Sequence, residues 1–277
     1  MIQKLISKIQ KKLNSYYYSR KIDNGEKVFC INSHFGFKII LDVSKDVDHK
    51  FILQEFENYN FELIQKIVKP GWKIIDIGAN IGLYTLLFSR KVGKEGSVFA
   101  FEPSDEAYYR VLQNVRLNNS SNIELFKMGV ADKTGVMDLN ITDDDAYNSL
   151  GSHPMKEIVE TKKINVTSIN DFIKKKSIDH IDVIKTDTEG ADYLVLKGAS
   201  ELLTRENGPI IFCEYNTFTK DGFDFALTSL VEYLKSCNYY IYKYENSRLM
   251  DFDTNKNESG DLVCFKDYHK PVFEQYR

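Results

Sequence analysis

The stretch IIDIGANIG, residues 74–82, decides the fold. Its first four residues favour a buried strand, a glycine turn comes next, and the helical pattern from Ile81 to Val92 follows. Gly78 and Gly82 allow the backbone to approach a ligand closely, and the turn directs the N–H groups of the helix toward whatever is bound. The stretch therefore predicts a strand, a turn and a helix, with a ligand-binding site at the turn.

The spacing within this stretch indicates which ligand the turn suits. The pattern is D-x-G-x-x-x-G, with Asp76 before the first glycine, and it differs from the G-x-G-x-x-G of dinucleotide-binding turns. The carboxylate of Asp76 attracts an ammonium group, whereas it would repel a pyrophosphate. The spacing favours the amino acid part of S-adenosyl-L-methionine (SAM) over a dinucleotide.

Short apolar runs alternate with helical patterns from Trp72 onward, which is typical of βαβ units. The predicted fold class is therefore α/β, with a doubly wound, mostly parallel sheet. The last two apolar runs, Tyr239 to Tyr244 and Leu262 to Phe265, predict an antiparallel pair. We assign residues 70–277 to this domain and residues 1–69 to an N-terminal extension made of a helix, a hairpin and a second helix.

A second motif, FAFEP at residues 99–103, ends the next predicted strand with an acid. In α/β folds an acidic side chain at this offset from the glycine turn accepts hydrogen bonds from both ribose hydroxyls. Glu102 therefore predicts a ligand that contains a ribose. SAM and NAD both do. The alternative is that Glu102 only caps the following helix.

A third motif, DVIKTDTEGAD at residues 182–192, places Asp187 and Glu189 at the carboxyl end of a central strand. In open α/β sheets this end faces the ligand crevice. An N-cap on the next helix would explain one of the two acids but hardly both. Residues 138–160, which include His153, are predicted to form a long loop over the edge of the sheet.

Together the three motifs resemble the FkbM family of methyltransferases over about residues 70–214. The resemblance implies a class I methyltransferase sheet with an antiparallel strand near its end, SAM as the cofactor, and methylation of a hydroxyl on a sugar or natural product. The residues it implies for the methionine part of SAM are Asp76, Gly78, Asn80 and Gly82. It also places Glu102 at the ribose and the segment 129–132, with Ala131, beside the adenine.

The chain departs from the pattern of this family at two places. Asp192 stands where the family usually has a glutamate, and Tyr215-Asn216 follow the strand 210–214 where a histidine is frequent. Aspartate and glutamate are both acids, so the change at position 192 is mild. The second change leaves the identity of the catalytic base open.

Transfer of a methyl group to an alcohol requires a group that accepts the hydroxyl proton. Asp187 is the first candidate, His153 is the second because of its useful pKa, and Glu189 is the third. An alternative is assistance by Mg²⁺ bound to Asp187, Glu189 or Glu214, although nothing in the spacing requires a metal.

Composition limits the remaining functions. The 37 basic and 40 acidic residues give a formal net charge of -3, so we expect no nucleic acid partner, and the acceptor is expected to be a small molecule or a glycan. No apolar run is long enough to span a membrane, and the N-terminus lacks the pattern of a signal peptide, so we expect a cytoplasmic protein. Residues 1–15 form an amphipathic basic helix suited to self-association or to weak contact with a membrane surface.

Two other functions stay open at this point. A noncatalytic subunit that binds SAM would need Asp76 and Glu102 but not Asp187. An NAD-dependent oxidoreductase would share the α/β sheet and Glu102, but it would normally carry the dinucleotide-binding glycine pattern.

Overall fold

The computed structural model describes residues 2–53, 59–151, 156–217, 222–256 and 259–277. The chain divides into two compact units, Met1–Asn58 and Tyr59–Arg277. The predicted boundary at residues 69 and 70 therefore differs from the observed one by a single helix, Tyr59–Ile67. Five residues of this helix are buried, and it contacts elements of the second unit, which explains why it belongs there.

The first unit contains the predicted N-terminal helix and hairpin. Its elements are α1 (Ile2–Asp23), β1 (Val28–Asn32), β2 (Lys38–Asp42) and α2 (Asp46–Ile52). Strands β1 and β2 pair antiparallel, from Val28 opposite Asp42 to Asn32 opposite Lys38. The self-association or membrane contact that was predicted for residues 1–15 would involve side chains that are largely outside the described ones. Among the described helices, none is both long enough and apolar enough to cross a bilayer.

The second unit is built on an eight-stranded sheet with the order β12-β11-β13-β10-β9-β3-β4-β5. Its strands are β3 (Lys73–Ile77), β4 (Ser97–Phe101), β5 (Ile123–Phe126), β9 (Val183–Thr186), β10 (Ile210–Tyr215), β11 (Tyr240–Glu245), β12 (Arg248–Asp251) and β13 (Gly260–Phe265). The five strands from β10 to β5 are parallel, and β13, β11 and β12 are antiparallel. The predicted fold class is confirmed.

Helices connect the parallel strands, as βαβ units require. The helices of this unit are α3 (Tyr59–Ile67), α4 (Leu83–Val92), α5 (Asp105–Leu117), α6 (Ile169–Lys176), α7 (Asp192–Lys197), α8 (Ser200–Leu203), α9 (Thr228–Ser236) and α10 (Lys270–Phe273). Ile74, Ile75, Val183 and Ile184 in the two central strands are completely buried. Because β3, β4, β9 and β10 are parallel neighbours, their carboxyl ends meet at one edge of this buried core.

A second, three-stranded sheet includes the two ends of the segment predicted as a loop at residues 138–160, namely residues 138–142 and 158–160. Its strands are β6 (Gly129–Val130), β7 (Gly135–Thr142) and β8 (Ile158–Thr167), in the order β6-β8-β7. The loop prediction was wrong at these two ends, because the strands there carry charged residues on solvent-facing positions. Asp138 lies opposite Lys163 across the ladder and forms an ion pair with it at 3.1 Å. Charges that pair across strands look like loop composition in a sequence.

Candidate active site

The glycine turn joins the end of β3 to the ends of β4 and β9. Gly78, Asn80 and Gly82 all have positive φ, at 73°, 49° and 91°. The N–H groups of Gly78 and Ala79 both donate to the Phe101 carbonyl, at 3.1 and 3.0 Å. A Cβ at Gly78 would lie 1.9 Å from the carbonyl oxygen of Asp187, and one at Gly82 would lie 2.8 Å from Val111. The glycines are thus required by the packing of the chain against itself, and this packing brings Asp187 to the turn.

Glu102 holds the turn from the end of β4. Its Oε2 accepts the N–H of Asn80 at 2.9 Å, and its Oε1 accepts the N–H of Ser104 at 3.0 Å. Burial raises the pKa of Glu102 to about 7, and the two backbone hydrogen bonds oppose this shift. The cap of α5 is the Ser104 side chain, which accepts from the N–H of Ala107. The cap of the helix is thus Ser104 and not Glu102, and a carboxylate oxygen that accepts one hydrogen bond keeps a lone pair for a further donor.

Lys185 lies between two of the predicted site acids. Its ammonium Nζ is 3.3 Å from Asp187 Oδ2 and 3.7 Å from Asp76 Oδ1, and it donates to the Gly78 carbonyl at 3.3 Å. The ring of Tyr84 packs against the same ammonium, with 4.7 Å from Nζ to its centroid. Burial disfavours the charge, but the carboxylates of Asp187 and Asp76 raise the pKa of Lys185 above its ordinary value. This side chain is a buried countercharge shared by β3 and β9.

Asp76 is completely buried beside this ammonium. Its Oδ2 accepts the Thr85 hydroxyl at 2.5 Å, while among the described residues no donor hydrogen-bonds to its buried Oδ1. Burial raises the pKa of Asp76 above its ordinary value, and Lys185 opposes the shift. Asp76 therefore ties the end of β3 to α4 and to β9.

A second group of acids surrounds the end of β10. One oxygen from each of Asp187, Glu189 and Glu214 lies within 4.8 Å of the other two. Burial and the charge of Asp187 raise the pKa of Glu189 to about 8, and the same two causes raise the pKa of Glu214 well above its ordinary value. This group has the ligand type and spacing that suit a divalent cation.

Asp192 organises the turn that carries these acids. Its Oδ2 accepts the Thr188 hydroxyl at 3.0 Å, and its Oδ1 accepts the N–H of Glu214 at 3.3 Å. The N-cap position of α7 is Ala191, and no side chain caps the helix there. The alternative that Asp187 or Glu189 caps this helix was therefore wrong, and the acid at 192 connects β9 to β10.

Two further site residues were predicted, Ala131 and His153. Ala131 is buried, and its N–H donates to the Thr167 carbonyl at 3.0 Å. Its carbonyl oxygen would be 2.2 Å from a Cβ at Gly198, so Ala131 lies against β8 and against the α7–α8 junction. The role of Ala131 beside an adenine stays a prediction. His153 lies outside the described residues, and its predicted role stays a prediction too.

Sequence reasoning assigned no role to Lys185 or to the ion pair of Arg110 with Asp145. Arg110 Nη1 lies 2.9 Å from Asp145 Oδ2, and the charge of Asp145 adds to the rise in the pKa of Glu102. The signal for Lys185 was present, because a lysine within an apolar central strand must be paired when it is buried. Nothing comparable in the sequence indicates the pairing of Arg110, which joins α5 to the β7–β8 connection.

The structure offers features that fit SAM. The turn 78–82 presents three residues with positive φ, and the buried Oδ1 of Asn80 has no hydrogen-bond partner among the described residues. Glu102 stands at the end of the neighbouring strand with acceptor capacity for ribose hydroxyls. Residues of these types at adjacent strand ends can hold the amino acid part and the ribose of one ligand.

The second unit has a mostly parallel sheet that closes with antiparallel strands. It also has a glycine turn after one central strand and acids after the neighbouring strands. These features define the class I methyltransferase fold. Within this class, the chain belongs to the FkbM methyltransferase domain family, whose model matches residues 76–241. The matched segment contains the turn, Glu102, Lys185, Asp187 and the neighbouring acids Glu189, Asp192 and Glu214.

Three relatives are identical to this chain at about a quarter of the aligned residues. Methyltransferase 1 of Beauveria bassiana is 25% identical over 146 residues, which cover 46% of this chain and 58% of that protein. The 2-O-methyltransferase NoeI of Sinorhizobium fredii is 24% identical over 169 residues, covering 56% and 68%. The hexuronic acid methyltransferase AglP of Haloferax volcanii is 26% identical over 146 residues, covering 53% and 57%. The chain thus spans little more than half of the Beauveria and Haloferax proteins.

Removal of the Lys185 ammonium is expected to destabilise the domain. In Lys185→Met the buried carboxylate of Asp76 loses its countercharge, and such a loss lowers the free energy of unfolding by roughly 3–5 kcal/mol. The matched control is Lys197→Met, at an exposed position on α7, which should change stability little. Urea unfolding at pH 7 measures both.

A double variant tests whether Asp76 is the partner. If Lys185 acts as its countercharge, Asp76→Asn combined with Lys185→Met should cost less than the sum of the two single changes, by about 0.5–3 kcal/mol. Additive effects, or a Lys185→Met protein as stable as the control, would contradict this role.

Proposed function

We propose that this protein is a SAM-dependent O-methyltransferase that transfers a methyl group to a hydroxyl of a sugar, glycan or natural product. The observation that carries the proposal is the connection of Glu102 to the glycine turn through the N–H of Asn80, at 2.9 Å. It joins the expected ribose acceptor to the expected amino acid site in one rigid unit. Membership of the FkbM family supports the same assignment.

The proposed cofactor position follows from the strand ends. Glu102 would accept hydrogen bonds from the two ribose hydroxyls, and the turn 78–82 would hold the amino acid part. Asp76 favours a cationic group near the turn, although Thr85 and Lys185 already contact its carboxylate. Asp76 therefore acts mainly by fixing the turn, and its charge adds a long-range attraction for the ammonium of the ligand.

Asp187 is the proposed proton acceptor. When bound, SAM supplies a methyl group on a sulfonium whose sulfur leaves with the electron pair of the C–S bond, as S-adenosylhomocysteine (SAH). The acceptor oxygen forms the new C–O bond, and its proton passes to the carboxylate of Asp187. The Asp187 side chain is 45% exposed, whereas the Lys185 side chain that fixes its Oδ2 is 6% exposed. Asp187 is thus oriented by a buried lysine and partly open to solvent, which supports its role as the proton acceptor.

The acceptor class rests on the chemistry of the relatives. NoeI is named as a 2-O-methyltransferase and AglP as a hexuronic acid methyltransferase. A hydroxyl of a sugar or sugar acid is therefore the acceptor that we favour for this chain. The noncatalytic alternative would leave no use for an exposed Asp187 held by a buried lysine.

The cofactor assignment predicts that SAH binds and that NAD does not bind comparably. Calorimetry at pH 8 should give a dissociation constant for SAH in the micromolar range. Because burial raises the pKa of Glu102 to about 7, this group ionises between pH 6 and pH 8, and its ionised form accepts the ribose hydroxyls better. The affinity for SAH should therefore fall by roughly fivefold to tenfold from pH 8 to pH 6.

Glu102→Gln is the control for this pH dependence. The amide does not titrate, so the variant should bind SAH more weakly at pH 8, by about 1–3 kcal/mol, with a flatter profile down to pH 6. Tighter binding of NAD than of SAH would overturn the cofactor assignment. An unchanged pH profile in Glu102→Gln would remove Glu102 from the ligand site.

Asp187→Asn is expected to lower methyl transfer by about a hundredfold or more, because the amide cannot accept a proton. Its affinity for SAH should stay within about twofold of the wild type, since the substitution keeps the shape of the side chain. Transfer of labelled methyl from SAM to a panel of uronic acids and their glycosides measures the first effect, and calorimetry measures the second. If Asp187→Asn methylated an accepted sugar at a near-normal rate, Asp187 would not be the proton acceptor, and His153 would be the next residue to test.

A further inference from the structure

The acids at the ends of β9 and β10 are close enough to share one cation. Oxygens from Asp187, Glu189 and Glu214 lie within 4.8 Å of one another. Oxygen ligands of Mg²⁺ lie about 2.1 Å from the metal and those of Ca²⁺ about 2.4 Å, so ligands on opposite sides of one ion are roughly 4–5 Å apart. All three carboxylates can therefore reach a single ion of this size.

Glu214 provides an independent indication that this group binds a ligand. Its Oε1 accepts the amide of Asn216 at 3.3 Å, which orients the carboxylate. Its Oε2 is buried, and no donor among the described residues hydrogen-bonds to it. A buried carboxylate oxygen without a partner is costly, and a cation from solution would relieve this cost.

The balance of charge around Glu214 points the same way. Asp261 lies directly opposite Glu214 in the β10–β13 ladder, so both side chains stand on the same face of the sheet. Asp192 lies beside them, with its Oδ1 3.3 Å from the N–H of Glu214. Lys185 contacts Asp187 and already shares its charge with Asp76, and Lys243 acts on Asp261. Five carboxyl groups thus lie near two lysines, one of which also pairs with Asp76.

We infer that Asp187, Glu189 and Glu214 bind one divalent cation that prefers oxygen ligands, of the Mg²⁺ or Mn²⁺ type. The inference deepens the proposed function and rests on it for the role of the ion. A cation held here would lower the pKa of an acceptor hydroxyl that it coordinates, and the carboxylate oxygen of Asp187 that does not bind the cation would accept the proton. It would also hold the acceptor oxygen at the end of β9, where the methyl transfer is proposed.

Binding of Mn²⁺ tests the site without any acceptor. Electron paramagnetic resonance on the full chain, with and without SAH, should count one bound Mn²⁺ per molecule. Glu214→Gln should weaken this binding by at least tenfold, and Glu189→Gln should do the same. The matched control is Glu201→Gln, an exposed glutamate on α8, which should bind Mn²⁺ as the wild type does.

Thermal melting separates loss of the site from loss of the fold. Mn²⁺ should raise the melting temperature of the wild type and of Glu201→Gln, because it binds only the folded state, and it should leave that of Glu214→Gln unchanged. Without metal, Glu214→Gln should melt no lower than the wild type, since the substitution removes a carboxylate from a repulsive group.

The outcomes distinguish this inference from the proposed function. A wild-type protein that binds SAH but no Mn²⁺ would overturn the cation site and leave the methyltransferase proposal in place. Equal Mn²⁺ affinity in the wild type and in both glutamine variants would overturn the site as well. One Mn²⁺ bound at these carboxylates by a protein that binds neither SAM nor SAH would support the site and contradict the proposed function.

Discussion

The buried ammonium of Lys185 is the interaction on which the arrangement of the site depends. It lies between Asp76 on β3 and Asp187 at the end of β9, and it also donates to the Gly78 carbonyl. A charge in this position fixes two neighbouring strand ends relative to each other. The close packing of Gly78 against Asp187 adds a steric constraint at the same place. The glycine turn and Asp187, the proposed proton acceptor, are therefore positioned by one contact region.

Around this centre, the acids divide into groups with different chemistry. Asp76 and Asp192 are buried and hold the backbone, and Glu102 joins the turn to the end of β4. Asp187 is partly exposed, while Glu189 and Glu214 carry raised pKa values because burial and neighbouring acids disfavour their charge. Lys185 contacts two of these acids, Asp76 and Asp187. Asp187 also lies close to Glu189 and Glu214, and it is therefore the residue that connects the proposed methyl transfer to the proposed cation.

The sequence predicted the parts of this structure that depend on local pattern. The strand, turn and helix at residues 74–92, the parallel sheet and the antiparallel end all follow from periodicity and glycine placement. The small sheet β6–β8 was missed because its charged strands pair across the ladder, which a linear pattern does not reveal. Likewise, the backbone hydrogen bonds of Glu102 and the shared contact of Lys185 depend on which strand ends become neighbours. Gly78 and Gly82 were predicted to let a ligand approach the backbone closely. In the structure, the absence of a Cβ at these positions makes room for the Asp187 carbonyl and the Val111 side chain.

The position of the bound ligand is the most direct test of the central claim, which is that the turn 78–82 and Glu102 form one SAM site beside Lys185 and Asp187. A crystal structure of the protein with SAH measures it. The account predicts ribose hydroxyls within about 3.2 Å of the Glu102 carboxylate, the amino acid part at the turn, and the sulfur facing Asp187. SAH bound away from the ends of β3 and β4, or with its sulfur turned away from Asp187, would contradict the account.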